Sequence, residues 1–68
     1  MTKERKLGDK VKAARVADKL RQVDLARLAK VSQPYLAQIE NSQRVNINLA
    51  VLKRLAKGLK VSLADLVE

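Results

Sequence analysis

The sequence predicts an all-α chain, a compact bundle of five short helices built around a helix-turn-helix. Three observations predict it. Aliphatic residues recur at helical spacing in five separate segments. One Pro and two Gly leave little turn chemistry for a β-rich fold. The run from Leu20 to Glu40, LRQVDLARLAKVSQPYLAQIE, reads as two amphipathic helices joined by a turn too tight to let them lie antiparallel.

The first helix is expected over about residues 4–17, with Leu7, Val11 and Ala14 forming an apolar stripe at i, i+4, i+7. The second is expected over about 22–29, burying Leu25, Ala26, Leu28 and Ala29. Its N-cap position holds Arg21, which cannot accept a hydrogen bond. Loss of a short oxygen-bearing side chain there costs roughly 1 kcal/mol. The third is expected over about 33–41, with Ser32 as cap and Pro34 in the first turn, where a missing N–H does no harm. Tyr35, Leu36 and Ile39 give it an inward side.

The fourth helix is expected over about 49–57, capped by Asn48, burying Leu49, Leu52, Leu55 and Ala56 and ending near Gly58. The fifth is expected over about 63–67, where Ser62 and Asp65 form a short capping box. Leu63, Leu66 and Val67 are more apolar surface than one short helix buries alone, and some of it is a candidate dimer interface. Ordinary core within the chain is the competing reading.

Sixty-eight residues make one domain, here 1–68, with no room for a second core. With 47% hydrophobic and 1% aromatic residues, and eleven Leu, that core must be aliphatic. Fifteen Lys and Arg against seven Asp and Glu give a net charge of +8. Such an excess points to a polyanion, nucleic acid first and an acidic membrane surface second, or else to solubility alone. No His and no Cys are present, so the commonest metal ligands, the thiol nucleophile and the commonest general base are missing. No metal, no cofactor and no enzymatic activity are expected. No apolar run approaches the roughly 18 residues of a membrane span. The N-terminus, MTKERKLG, leads into no apolar segment of a secretory signal, so a cytoplasmic location is expected.

The helix that follows Ser32 opens with Gln33, Pro34 and Tyr35, presenting amides and hydroxyls where a buried helix would present aliphatics. Glutamine on a helix of a basic module suits the reading of base edges in a major groove. Lys53, Arg54, Lys57 and Lys60 cluster on and after the fourth helix, as a solvated face or as DNA contacts. Lys3, Arg5 and Lys6 are either a basic tail or a phosphate-touching arm.

From Leu7 to Val67 the chain resembles the lambdoid phage repressor and Cro family of helix-turn-helix proteins. The strongest piece is L-x-Q-x-x-L-A-x-x-x-x-V-S-x-x-Y-x-x-x-I-E-N, filled by Leu20, Gln22, Leu25, Ala26, Val31, Ser32, Tyr35, Ile39, Glu40 and Asn41. A second family-like segment is V-S-L-x-x-L, from Val61 to Leu66. The resemblance implies a lambda-repressor-like five-helix fold. It implies base contacts from Gln33, Pro34, Tyr35 and Gln38, with adenine the natural partner of a bidentate Gln. Phosphate contacts are implied for Gln22, Ser32, Asn41, Gln43, Arg44 and Asn46, with Arg21 added by its charge. These set register without reading sequence. The resemblance also implies a buried ion pair between Arg15 and Glu40. Two departures stand out: Lys30 where the family's turn usually has Gly, and Arg21 where it usually has a Ser or Thr cap.

The function implied is a transcriptional regulator that binds double-stranded DNA as a homodimer at a palindromic operator. A controller protein, a Cro-like regulator and an antitoxin all fit, and a toxin or polymerase is a candidate protein partner. The alternative is a protein-interaction module that uses the same fold, with incidental DNA affinity and docking through the last helix.

Overall fold

The starts of the last four helices and the ends of the first four fall where the sequence supplies partners for backbone groups that a helix leaves free. The computed structural model describes residues 3–43 and 47–67, with side chains described from residue 7 onward. Within these residues five helices follow in order: α1 Lys3–Ala17, α2 Gln22–Ala29, α3 Gln33–Glu40, α4 Leu49–Leu59 and α5 Leu63–Val67. No strand occurs among the described residues.

At the starts, Ser32 Oγ accepts the Tyr35 N–H at 3.1 Å and Asn48 Oδ1 accepts the Val51 N–H at 2.9 Å. Ser62 and Asp65 bond reciprocally: the Asp65 N–H donates to Ser62 Oγ at 3.1 Å and the Ser62 N–H to Asp65 Oδ2 at 3.2 Å. Before α2 the cap runs in one direction only. Asp24, three residues in, accepts the Arg21 backbone N–H at 3.0 Å, which offsets part of the deficit left by an Arg at that position.

The ends of α1 to α4 share one geometry. A left-handed residue follows each helix: Lys19 at φ 58°, Lys30 at 59°, Ser42 at 60° and Lys60 at 60°. Its N–H reaches back three residues, and the next N–H reaches back five. The Lys30 N–H bonds the Arg27 carbonyl at 3.2 Å and the Val31 N–H the Ala26 carbonyl at 3.0 Å; after α4 the Lys60 and Val61 N–H groups bond the Lys57 and Ala56 carbonyls at 3.2 and 3.0 Å. These are Schellman endings made without glycine, each at a cost of roughly 1–2 kcal/mol for the left-handed residue. The residue after the left-handed one supplies a hydrophobic contact: Leu20, Val31 and Val61 all pack against the core.

That core draws on all five helices: Val11 from α1; Leu25, Ala26 and Ala29 from α2; Leu36 and Ile39 from α3; Val51, Leu55, Ala56 and Leu59 from α4; Leu66 from α5. α2 packs most extensively on α4, and α1 on α3. Both contacts exploit a glycine. A Cβ on Gly8 would lie 2.5 Å from the Ile39 carbonyl oxygen, so only glycine lets α1 approach the end of α3 this closely. A Cβ on Gly58 would lie 3.1 Å from Leu25 Cδ1 and 3.2 Å from Leu28 Cβ, where α4 meets α2.

Several expectations are corrected. α4 runs to Leu59 rather than stopping near residue 57, because Gly58 packs inside the helix and Lys60 makes the turn. Leu28 and Leu49, expected in the core, are 53% and 54% exposed. Leu55 and Ala56 are buried as expected, Leu52 is half-buried, and Val51 and Leu59 complete the inward face of α4. Leu66 is fully packed in the core and therefore unavailable to a second copy, which leaves half-buried Leu63 and exposed Val67 from the apolar cluster. Among the described residues no helix is long and apolar enough to cross a membrane.

Candidate nucleic-acid interface

α3 is two-sided. Leu36 and Ile39 point into the core, and Glu40 is buried with them. Gln33, Pro34 and the cap Ser32 are exposed, as is Asn41 at the other end; Ala37 and Gln38 are half-buried. Residues 33, 34, 37, 38 and 41 are spaced i, i+1, i+4, i+5 and i+8, so they form one stripe opposite the core side. Tyr35, half-buried, packs against the core at the stripe's edge. Ala37 was not singled out from sequence. Its signal was the spacing: it lies one turn after Gln33 and directly before Gln38.

The helix is held from behind by a shared carboxylate. Arg15 Nε donates to Glu40 Oε2 at 2.7 Å and Arg15 Nη2 to Glu40 Oε1 at 3.1 Å. The pair is deep: 12% of the Arg15 side chain and 1% of the Glu40 side chain remain exposed. Arg15 Nη1 donates to the Leu20 carbonyl at 2.8 Å, closing the end of α1. Gln22 joins the same group, its Nε2 donating to Glu40 Oε1 at 3.1 Å. Glu40 thus links the end of α1, the start of α2 and the end of α3. A carboxylate buried with three donors is satisfied, which is the condition for keeping it in a low-dielectric interior.

Gln22 was expected to donate to a phosphate. One Nε2 hydrogen is committed to Glu40, and a primary amide carries a second. The Glu40 bond therefore orients the amide at the start of α2, where backbone N–H groups have no preceding turn to bond. Ser32 is similar: its oxygen accepts from Tyr35 while its hydroxyl proton is a separate donor.

Arg21 departs from expectation. Its guanidinium is paired with Asp24, Nε to Oδ2 at 3.0 Å and Nη2 to Oδ1 at 3.1 Å. The hydrogen bonds from Arg21 hold the Asp24 carboxyl below its ordinary range, and the same pairing raises the Arg21 value. Arg21 is thus ion-paired with Asp24 while 77% of its side chain stays exposed. Asn41 caps the end of α3, its N–H on the Ala37 carbonyl at 2.9 Å, and the exposed Gln43 anchors its N–H on the Gln38 carbonyl at 2.8 Å. Arg44 and Asn46 lie outside the described residues.

Arg54 also differs from a solvated charge. Its Nε donates to the Ala29 carbonyl at 2.7 Å, closing the last turn of α2 from α4. Among the described residues no group of three or more His, Cys, Asp or Glu side chains could hold a metal ion.

Residues 11–66 match a family model described as Helix-turn-helix. The chain is 39% identical over 61 residues to an immunity repressor protein of Bacillus phage phi105, a match covering 90% of this chain and 42% of the phage protein. It thus spans less than half the length of that relative. Among solved structures it is similar to the restriction-modification controller protein C.AhdI from Aeromonas hydrophila, with a TM-score of 0.87, 31% identity, and coverage of 91% of this chain and 92% of that one. It also shares its fold with the clp gene regulator ClgR from Corynebacterium glutamicum, with a TM-score of 0.92, 23% identity, and coverage of 97% and 69%.

Proposed function

The chain belongs to the helix-turn-helix family of phage-repressor and Cro type, and on that premise we propose that it is a transcription regulator that places α3 in the major groove of a palindromic operator as a homodimer. The observation that carries this reading is the outward stripe of α3, with Gln33, Pro34, Ala37, Gln38 and Asn41 opposite a buried side fixed by Glu40. A reading helix must be rigid relative to its phosphate anchors, and one carboxylate joins α3 to Arg15 and Gln22.

In this proposal Gln33 and Gln38 bond base edges, with Tyr35 and Pro34 alongside. The Ala37 methyl meets a thymine methyl. Gln22, Ser32, Asn41 and Gln43 contact phosphates, joined by Arg44 and Asn46. The net charge of +8 supplies the attraction. Residues 1–68 act as one DNA-binding domain in the cytoplasm, and Val67 with Leu63 contributes to the dimer contact. The names of the relatives, an immunity repressor and a restriction-modification controller, support a regulator of that kind.

Selection of bound duplexes from a random pool, followed by sequencing, tests this. The expected product is an inverted repeat whose half-site centres are about 34 Å apart, or a multiple of that. A pool without enrichment, or enrichment of a single unrepeated half-site, would overturn the operator and dimer reading.

A further inference from the structure

Away from the stripe of α3, between the C-terminal ends of α2 and α4, lies an open hollow of about 350 Å³ lined by Leu28, Lys30, Arg54, Lys57, Gly58 and Lys60. Four of these six residues are cationic and none carries a carboxylate. Leu28, 53% exposed, supplies the apolar surface. Gly58 keeps it open, since a Cβ there would sit 3.2 Å from Leu28 Cβ. The rim has a repeated origin: Lys30 and Lys60 are the left-handed residues of equivalent turns, Lys30-Val31-Ser32 and Lys60-Val61-Ser62. Arg54 is held in place, because its Nε is fixed on the Ala29 carbonyl at 2.7 Å.

Cations near helix C-termini are favourable against the helix dipole. That accounts for Lys57 and for the Arg54 bond to Ala29. It does not account for a leucine left half in water inside a ring of cations, nor for the concavity. We propose that this hollow docks an acidic segment of a partner protein, which lays one aliphatic side chain on Leu28 and pairs its carboxylates with Arg54 and the surrounding lysines. An arginine fixed through Nε keeps its Nη1 and Nη2 fork for a bidentate carboxylate. An apolar anchor inside a charged rim is the arrangement that gives a small interface both affinity and partner choice. Duplex DNA fits less well, since a phosphate backbone brings no aliphatic group to occupy the hollow. A second copy fits this hollow less well too, because seven Asp and Glu against fifteen Lys and Arg give it few carboxylates to set against four cations.

The test uses the full chain labelled with nitrogen-15 and a synthetic decapeptide of Glu and Asp with one central Leu, alongside the same peptide with Ser in place of Leu. The expected result is saturable binding, with amide shifts centred on Leu28, Lys30, Gly58 and Lys60. The Ser peptide should bind at least tenfold more weakly. Leu28→Ser and Lys57→Glu should each lose at least tenfold in peptide affinity while the fold is retained, the melting temperature falling by no more than a few degrees, and Lys57→Glu should leave operator selectivity intact. Three results would overturn the proposal: shifts centred on Gln33 and Tyr35, equal binding of the two peptides, or a self-association of the chain that Leu28→Ser abolishes and the peptide does not displace.

Discussion

Arg15 and Glu40, 25 residues apart, meet through two parallel hydrogen bonds, Nε to Oε2 at 2.7 Å and Nη2 to Oε1 at 3.1 Å. The geometry fixes the end of α3 against α1, and Gln22 brings the start of α2 to the same carboxylate. The mutual placement of α1, α2 and α3 thereby depends on one group.

Glu40→Ala is expected to destabilise the fold by about 3–5 kcal/mol, because a nearly buried guanidinium would lose its counter-charge. For a domain of this size that lowers the melting temperature by more than about 12 °C. A thermal melt followed by circular dichroism checks it. A shift of only a degree or two would mean that the pair does not hold the bundle together.

Asp24→Asn separates two roles of Arg21. The Asp24 carboxyl is depressed by hydrogen bonds from Arg21, below its ordinary 3.8, so the unfolded chain binds that proton more tightly than the folded one. The stabilisation is therefore fully present above the unfolded value and fades as pH falls through the lower folded value. The wild-type chain should melt slightly above Asp24→Asn at pH 7, and the gap should close below about pH 4. The same variant frees Arg21, so its DNA affinity should rise at low salt, with a log–log salt slope steeper by about 0.9. An unchanged slope would show that Arg21 stays clear of phosphate even when released.

Gln33→Ala should weaken operator binding by about 1–3 kcal/mol and relax preference at one base position, while binding to random duplex stays nearly constant. Parallel titrations of operator and random DNA at one salt concentration measure the difference. Equal losses on both would assign Gln33 to the backbone rather than to a base.

The helices were legible because local signals define them: Ser32, Asn48 and Ser62 cap, and aliphatic stripes repeat at helical spacing. The direction of those stripes was less legible. Leu28 and Leu49 sit at the border of their apolar faces, and a border residue is buried only if a neighbouring helix reaches it. The residue of α4 that meets Leu28 is Gly58, which has no side chain to cover it, so Leu28 stays 53% exposed. The length of α4 was missed for a related reason: Gly58 signals a helix end locally, and only the contact with α2 shows why glycine is needed within the helix. The pairing of Arg21 with Asp24 is hidden in the sequence because a cap side chain ordinarily accepts a hydrogen bond, whereas here the acceptor lies three positions on. The outward side of α3 followed from the sequence, since polar residues at 33, 38 and 41 alternate with Leu36 and Ile39 at a period that only a helix resolves into two sides.

The Lys-Val-Ser corner occurs twice, before α3 and before α5, with matching dihedral angles and backbone bonds. A punctuation mark that can be reused carries no meaning of its own. A motif search keyed to the bend would score both junctions alike, although only one introduces a helix with amides on its outer side. What distinguishes the helix proposed to read nucleotides from a packing element is the text after the mark, Gln-Pro-Tyr in one place and Leu-Ala-Asp in the other. Those triplets are not interchangeable even so, since Tyr35 also packs on the core and Asp65 also caps its own helix.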